Sequence, residues 1–150
     1  MIDIKHFCLF VCVPPANCPV PVDFAFILDG SGSISSRNWV VIKSFIKRII
    51  DNFEVSTDVS QMALLEYSTN ATVYLRFNDL TGAQLNSINV KRKVEEILQS
   101  KGLTYIDKAL TLANQEIFTE RNGMRPGVKK VCSTKNKQIN RNRQQYDWFT

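Results

Sequence analysis

One histidine, His6, stands near the start of the 150-residue chain, ahead of the first convincing strand. That scarcity weighs against a Ser-His-Asp triad and against a histidine-rich zinc site. Cysteine is sparse as well: Cys8, Cys12, Cys18 and Cys132 contain no Cys-x-x-Cys pair, so a zinc ribbon and a thioredoxin-like motif both fail on spacing. Clustering three of them before residue 19 is unlike the framework of a disulfide-stapled miniprotein, and pairing and redox compartment stay open. Long apolar runs are missing too. The longest, residues 7–13 and 24–28, fall far short of the roughly 20 residues that cross a bilayer, so no membrane span is expected.

What is present suits one domain: the chain is 44% apolar and 22% charged, enough to bury a single core. The net charge of +5 suggests a nucleic-acid binder until it is mapped. Residues 1–128 carry 13 Lys/Arg against 13 Asp/Glu, whereas residues 129–150 carry six against one, so the whole excess lies in a tail. Residues 1–18 have a weakly charged start, a seven-residue apolar run and then Pro14, Pro15 and Ala16. They read as a leader with the minimum shape of a secretory signal cut near Ala16, or as a short buried strand. One Asn-x-Thr acceptor, Asn70-Ala71-Thr72, suits a secreted protein.

From Pro19 the pattern is regular. Residues 22–28 are a nearly continuous apolar run ending in Asp29-Gly30-Ser31-Gly32-Ser33, which predicts a parallel strand buried on both faces and stopping in a tight turn. A helix follows, capped by Ser35 or Ser36, with Trp39, Ile42, Ile46, Ile49, Ile50 and Phe53 on its core face. Residues 61–67 and 71–77 predict an antiparallel hairpin, the second strand alternating as an edge does. Val90, Val94, Ile97 and Leu98 mark a second helix, and Ile106, Leu110, Ala113 and Ile117 a third that ends at Asn122-Gly123. Interleaved strands and helices predict an α/β layered fold.

The chemistry gathers where the first strand ends. Asp29, Ser31 and Ser33 offer oxygens at every second residue, and Gly30 and Gly32 let the backbone fold tightly enough to aim them at one point. Oxygen-only ligands select Mg²⁺, Mn²⁺ or Ca²⁺, and a site beyond the carboxyl end of a parallel strand fits the rule for ligand crevices in open α/β sheets. Thr104 follows a glycine loop at the start of a helix, where its hydroxyl could reach the same crevice, or could cap the helix in a Thr-x-x-Asp pair with Asp107.

Together these segments resemble the von Willebrand factor type A domain, of the matrilin and collagen-associated kind. The resemblance runs from about Pro19 to Val131. It rests on VDFAFILDGSGSI at residues 22–34, YSTNATV at 67–73, GLTYIDKAL at 102–110 and RPGVKKV at 125–131. It implies a Rossmann-like, doubly wound, mostly parallel sheet with one antiparallel edge strand. It also implies a metal-ion-dependent adhesion site in which Ser31, Ser33 and Thr104 are hydroxyl ligands and Asp29 holds Mg²⁺, or Mn²⁺ or Ca²⁺, directly or through water. An acidic residue of an extracellular protein, collagen or another matrix component, would complete the coordination. That is adhesion and not catalysis: His6 is remote, and Asp29 is committed to the metal.

The family pattern continues past residue 131 as an apolar strand and a Thr-Asp-Gly with a last acidic contact. Here Cys132-Ser133-Thr134-Lys135 opens a polar, basic segment without that aspartate. The expectation is a leader at 1–18, the amino-terminal portion of a type A domain at 19–131, and a disordered basic tail at 132–150. The fold would be incomplete after the third helix, with the partner of residues 23–28 cut to a stub, the central strand an open edge, and metal binding weakened. The alternatives are nucleic-acid binding through Lys129, Lys130, Lys135, Lys137, Arg141 and Arg143, with Tyr146 and Trp148 for stacking, and a non-functional fragment.

Overall fold

The structure, a computed structural model, describes residues 21–135. The segment read as a leader, residues 1–18, and most of the segment read as a basic tail lie outside these residues. Strand β1 (Val22–Asp29) leads into helix α1 (Ser36–Ile50), followed by β2 (Ser60–Tyr67), β3 (Ala71–Leu75), α2 (Ser87–Glu96), α3 (Ile106–Glu116) and β4 (Lys129–Lys135). The sheet order is β3-β2-β1-β4, with β1 parallel to both neighbours and β3 antiparallel at the edge. This is the α/β layered fold expected from the pattern of elements, in the Rossmann-like, mostly parallel form that the resemblance implies.

Strand alternation builds two cores. Phe24, Phe26 and Leu28 of β1 meet Met62 and Leu64 of β2 under α1 and α2, which contribute Trp39, Ile46, Ile50, Val90 and Val94. Ala25 and Ile27, with Ala63, Leu65 and Tyr67, face the opposite way and pack with Ala109 and Ala113 of α3 and Ile117 just beyond it. Both faces of β1 and β2 are therefore covered, which is why their sequences run almost continuously apolar. Helix α1 starts where Ser35 Oγ accepts the Asn38 N–H at 3.2 Å. Its apolar stripe is seated as expected, with Ile42, Ile49 and Phe53 half-buried against the first core.

Three details depart from expectation. Leu98 is 72% exposed, because α2 stops at Glu96 and the chain turns extended before that side chain can reach the core. Leu110 is also exposed, and Ala109 takes the inward position of α3, where the small side chain lets helix and sheet approach closely. Helix α3 ends at Glu116, and a 3-10 turn, Glu120–Asn122, carries the chain to Gly123 at φ 90.

The largest correction concerns the central strand. Strand β4 is no stub: it pairs with β1 from Val22↔Lys129 to Leu28↔Lys135 and runs four residues into the segment read as tail. Strand β1 is thus paired on both sides and is not an edge. A parallel ladder is made by backbone N–H and C=O groups, so Cys132, Ser133 and Thr134 extend it without an apolar pattern.

The amino end of the sheet is pinned by one ion pair. Asp23 is fully buried and accepts the backbone N–H of Arg125 at 2.8 Å and its Nε at 2.8 Å, with Nη2 at 2.7 Å. The same guanidinium donates to the carbonyls of Thr57, Val22 and Val59 at 2.7, 3.0 and 3.2 Å, tying the entry to β4 to the starts of β1 and β2.

Candidate functional site

At the carboxyl end of β1 the backbone turns through Gly30–Ser35 before α1 begins, and the turn brings oxygens together. Asp29 is 2% exposed, and its Oδ1 accepts the Ser31 N–H at 2.9 Å. Ser31, also 2% exposed, places its Oγ 3.2 Å from Ser33 Oγ, and Ser33 stands exposed above it. Three of the four expected oxygen donors thus lie in one turn. No other hydrogen bond reaches the second oxygen of Asp29 among the described residues.

The loop carrying Thr104 is stitched to this turn. The Gly32 N–H donates to the Gly102 carbonyl at 2.8 Å, and the Lys101 N–H donates to the Gly30 carbonyl at 2.9 Å. A Cβ on Gly32 would stand 2.9 Å from the Lys101 carbonyl oxygen, so only glycine permits this approach. Lys101 accepts a left-handed φ of 56 to make its bond. Gln99 adds a brace, its Nε2 donating to the Ile34 carbonyl at 2.7 Å and toward that of Ser31 at 3.3 Å.

Thr104 itself is half-buried, two residues past Gly102. The capping pair with Asp107 does not form: the residue before α3 is Tyr105, no side chain caps that helix end, and Thr104 makes no side-chain hydrogen bond among the described residues. Its hydroxyl is not consumed by the helix.

A third segment closes the site from below. Leu28 pairs with Glu66, so the register of β1 and β2 sets a glutamate beneath the turn. Glu66 is 2% exposed; its Oε1 accepts the Ser100 Oγ at 2.5 Å and the Ser100 N–H at 3.3 Å. Ser100 Oγ also lies 2.6 Å from Ser68 Oγ. Burial pushes the Glu66 carboxyl up, the Ser100 bonds oppose that, and the charge of Asp29 adds to the rise. Sequence reasoning took Asp29 as the local carboxylate and missed Glu66, Ser68, Gln99 and Ser100. The available signal was a glutamate inside the otherwise apolar run Met62-Ala63-Leu64-Leu65-Glu66-Tyr67, which a fully buried strand must satisfy.

The donor set fits a hard divalent cation: one carboxylate and neutral hydroxyls, all oxygen. Among the described residues no group of three His, Cys, Asp or Glu side chains could hold a metal, so any ion at this place depends on the hydroxyls. The basic segment is not a continuous patch within the described residues. Lys129 is exposed, but Lys130 Nζ turns in to the Arg125 carbonyl at 2.7 Å. Lys137, Arg141, Arg143, Tyr146 and Trp148 lie outside the described residues. No helix among them is long and apolar enough to cross a membrane.

Residues 23–132 match the family model described as von Willebrand factor type A domain. The chain is 32% identical to matrilin-1 of Gallus gallus over 110 residues, 73% of this chain and 22% of that protein. It is 30% identical to integrin alpha-D of Homo sapiens over 122 residues, 79% of this chain and 10% of that one. Proximal thread matrix protein 1 from the mussel byssus, solved with a zinc-occupied MIDAS motif, matches with a TM-score of 0.67 at 28% identity, over 77% of this chain and 28% of that one. The chain spans about a fifth or less of the curated relatives' length.

Proposed function

Because the chain belongs to the von Willebrand factor type A domain family, we propose that it is a cation-dependent adhesion module that recognises an acidic residue of an extracellular protein. Collagen or another matrix component is the class of partner proposed. The observation that carries the reading is the convergence of Asp29, Ser31 and Ser33 in one turn stitched to the Thr104 loop. Asp29, Ser31, Ser33 and Thr104 would hold Mg²⁺, with Mn²⁺ or Ca²⁺ as substitutes. A divalent ion held there supplies uncompensated positive charge and an open position for a carboxylate from outside.

The chain's own groups do the rest. The Ser31 N–H fixes the Asp29 carboxylate, the Ser31 and Ser33 hydroxyls face one another at 3.2 Å, and Gln99 holds the turn's carbonyls. Ser33 is open to solvent while Asp29 and Ser31 are not, so an incoming ligand meets the Ser33 hydroxyl before either of them. Leu98, Leu103 and Tyr105 stand 72%, 61% and 40% exposed along the same loop and offer apolar contact beside the acidic group. Asn70 is exposed in the β2–β3 turn, where an N-linked glycan could be carried, which supports the extracellular assignment.

Calorimetric titration with Mg²⁺ tests the reading. The unaltered chain should bind, and Asp29→Ala or the Ser31→Ala/Ser33→Ala pair should abolish binding while leaving a cooperative thermal transition. Unchanged affinity in both variants refutes the assignment.

A further inference from the structure

Glu66 is a buried carboxylate that the four-oxygen set does not use, and its position is set by more than packing. A Cβ on Gly30 would fall 1.8 Å from Glu66 Oε1, so the carboxylate occupies the space that any other residue at position 30 would need. The same Oε1 takes both the N–H and the hydroxyl of Ser100, which lies in the loop that carries Thr104. Ser100 is linked in turn to Ser68, and the Ser68 carbonyl accepts the Tyr105 N–H at 2.9 Å. Glu66 therefore touches the turn on one side and the Thr104 loop on the other. A cation bound by Asp29 and neutral hydroxyls would have only one formal negative charge from its ligands, and a buried anion against the next residue, Gly30, adds to it where solvent screens little.

We propose that Glu66 is the positioning residue of the cation site: it clamps the Gly30–Ser33 turn to the Thr104 loop through Ser100 and supplies a second negative charge beneath Asp29. This inference rests on the proposed cation site. Its chemistry predicts a preference for more highly charged hard cations, because the benefit of a neighbouring anion grows with the charge of the ion.

The test compares the unaltered chain with Glu66→Gln, which keeps the shape and an acceptor for Ser100 but removes the charge. Mg²⁺ affinity is measured by calorimetry and metal-free stability by thermal unfolding. Glu66→Gln should bind Mg²⁺ about ten- to a hundredfold more weakly, as loss of an outer-shell partner typically does, with no loss of metal-free melting temperature. Terbium affinity should fall by a larger factor than Mg²⁺ affinity. Unchanged Mg²⁺ affinity in Glu66→Gln, with binding by the unaltered chain, overturns the inference alone; absence of Mg²⁺ binding by the folded, unaltered chain overturns the cation site and the inference with it. If Glu66→Gln does not fold, Ser100→Ala takes its place. A threefold or greater loss of Mg²⁺ affinity then supports the clamp, and a smaller change or none refutes it.

Discussion

Replacing Arg125 with methionine removes a guanidinium but keeps most of the side chain's length, and it strikes the pair that fixes the amino end of the sheet. Asp23 is wholly buried and receives two Arg125 nitrogens on one oxygen and the Arg125 backbone N–H on the other. In Arg125→Met only the backbone donor survives, so a carboxylate is left in the protein with its counter-charge gone. Breaking a buried pair in this way costs about 3–5 kcal/mol. The lost bonds to the Thr57, Val22 and Val59 carbonyls fall within that range, because the Thr57 contact is exposed to water and Val59 still accepts the Val22 N–H at 2.9 Å. Against a total stability of about 5–15 kcal/mol this is a large fraction. At about 4 °C per kcal/mol for a domain of this size, the melting temperature should fall by roughly 12–20 °C, read by far-ultraviolet circular dichroism with a urea titration alongside. The double variant Asp23→Asn/Arg125→Met should lose clearly less than Arg125→Met alone, since it leaves no buried charge unpaired. A drop of less than about 4 °C in Arg125→Met, or a double variant worse than the single one, would refute the reasoning.

Two further outcomes follow from the site. Gly32→Ala sets a methyl group against the Lys101 carbonyl and should break the Gly32–Gly102 bond, lowering both the melting temperature and Mg²⁺ affinity; a variant with wild-type values in both assays contradicts the close approach. Burial raises the folded-state pKa of Glu66 above its ordinary value of 4.5, so its contribution to metal-free stability is fully present below that value and is lost as pH rises through the folded pKa. The melting temperature of Glu66→Gln relative to the unaltered chain should therefore climb from mildly acidic to neutral pH, and a difference that stays constant with pH would falsify the assignment of cause.

The elements that sequence discloses are those whose signal is local. Strand β1 reads as buried on both faces because both faces are in fact covered, and α1 reads from its stripe and its Ser35 cap. The oxygens of Asp29, Ser31 and Ser33 are legible for the same reason: they sit within five residues and the glycines between them announce a tight turn. Strand β4 is misread after Val131 because apolar alternation reports side-chain burial, whereas its ladder with β1 is backbone pairing that polar residues sustain equally. Glu66 and Ser100 are 34 residues apart, and only the β1–β2 register and the Gly102 contact bring them to the same turn.

The two ends of β1 divide the work in a way that explains where polar residues were admitted to so apolar a strand. At the amino end Asp23 is matched by a full positive charge, so its burial fixes the entry to β4 and leaves nothing for a ligand. At the carboxyl end Asp29 and Glu66 meet only neutral donors, Ser31 N–H and Ser100, among the hydrogen bonds of the described residues. Two nearby carboxylates without a cation between them are electrostatically unfavourable, a cost that a divalent ion at the proposed site would relieve. Among the described residues the sheet thus pairs a neutralised end with an un-neutralised one, and the latter lies at the loop end, where the turn and the Thr104 loop are already held by glycine contacts. At the proposed site cation binding would need little rearrangement of backbone, and the electrostatic gain would be available for holding the ion and the acidic group proposed to complete it.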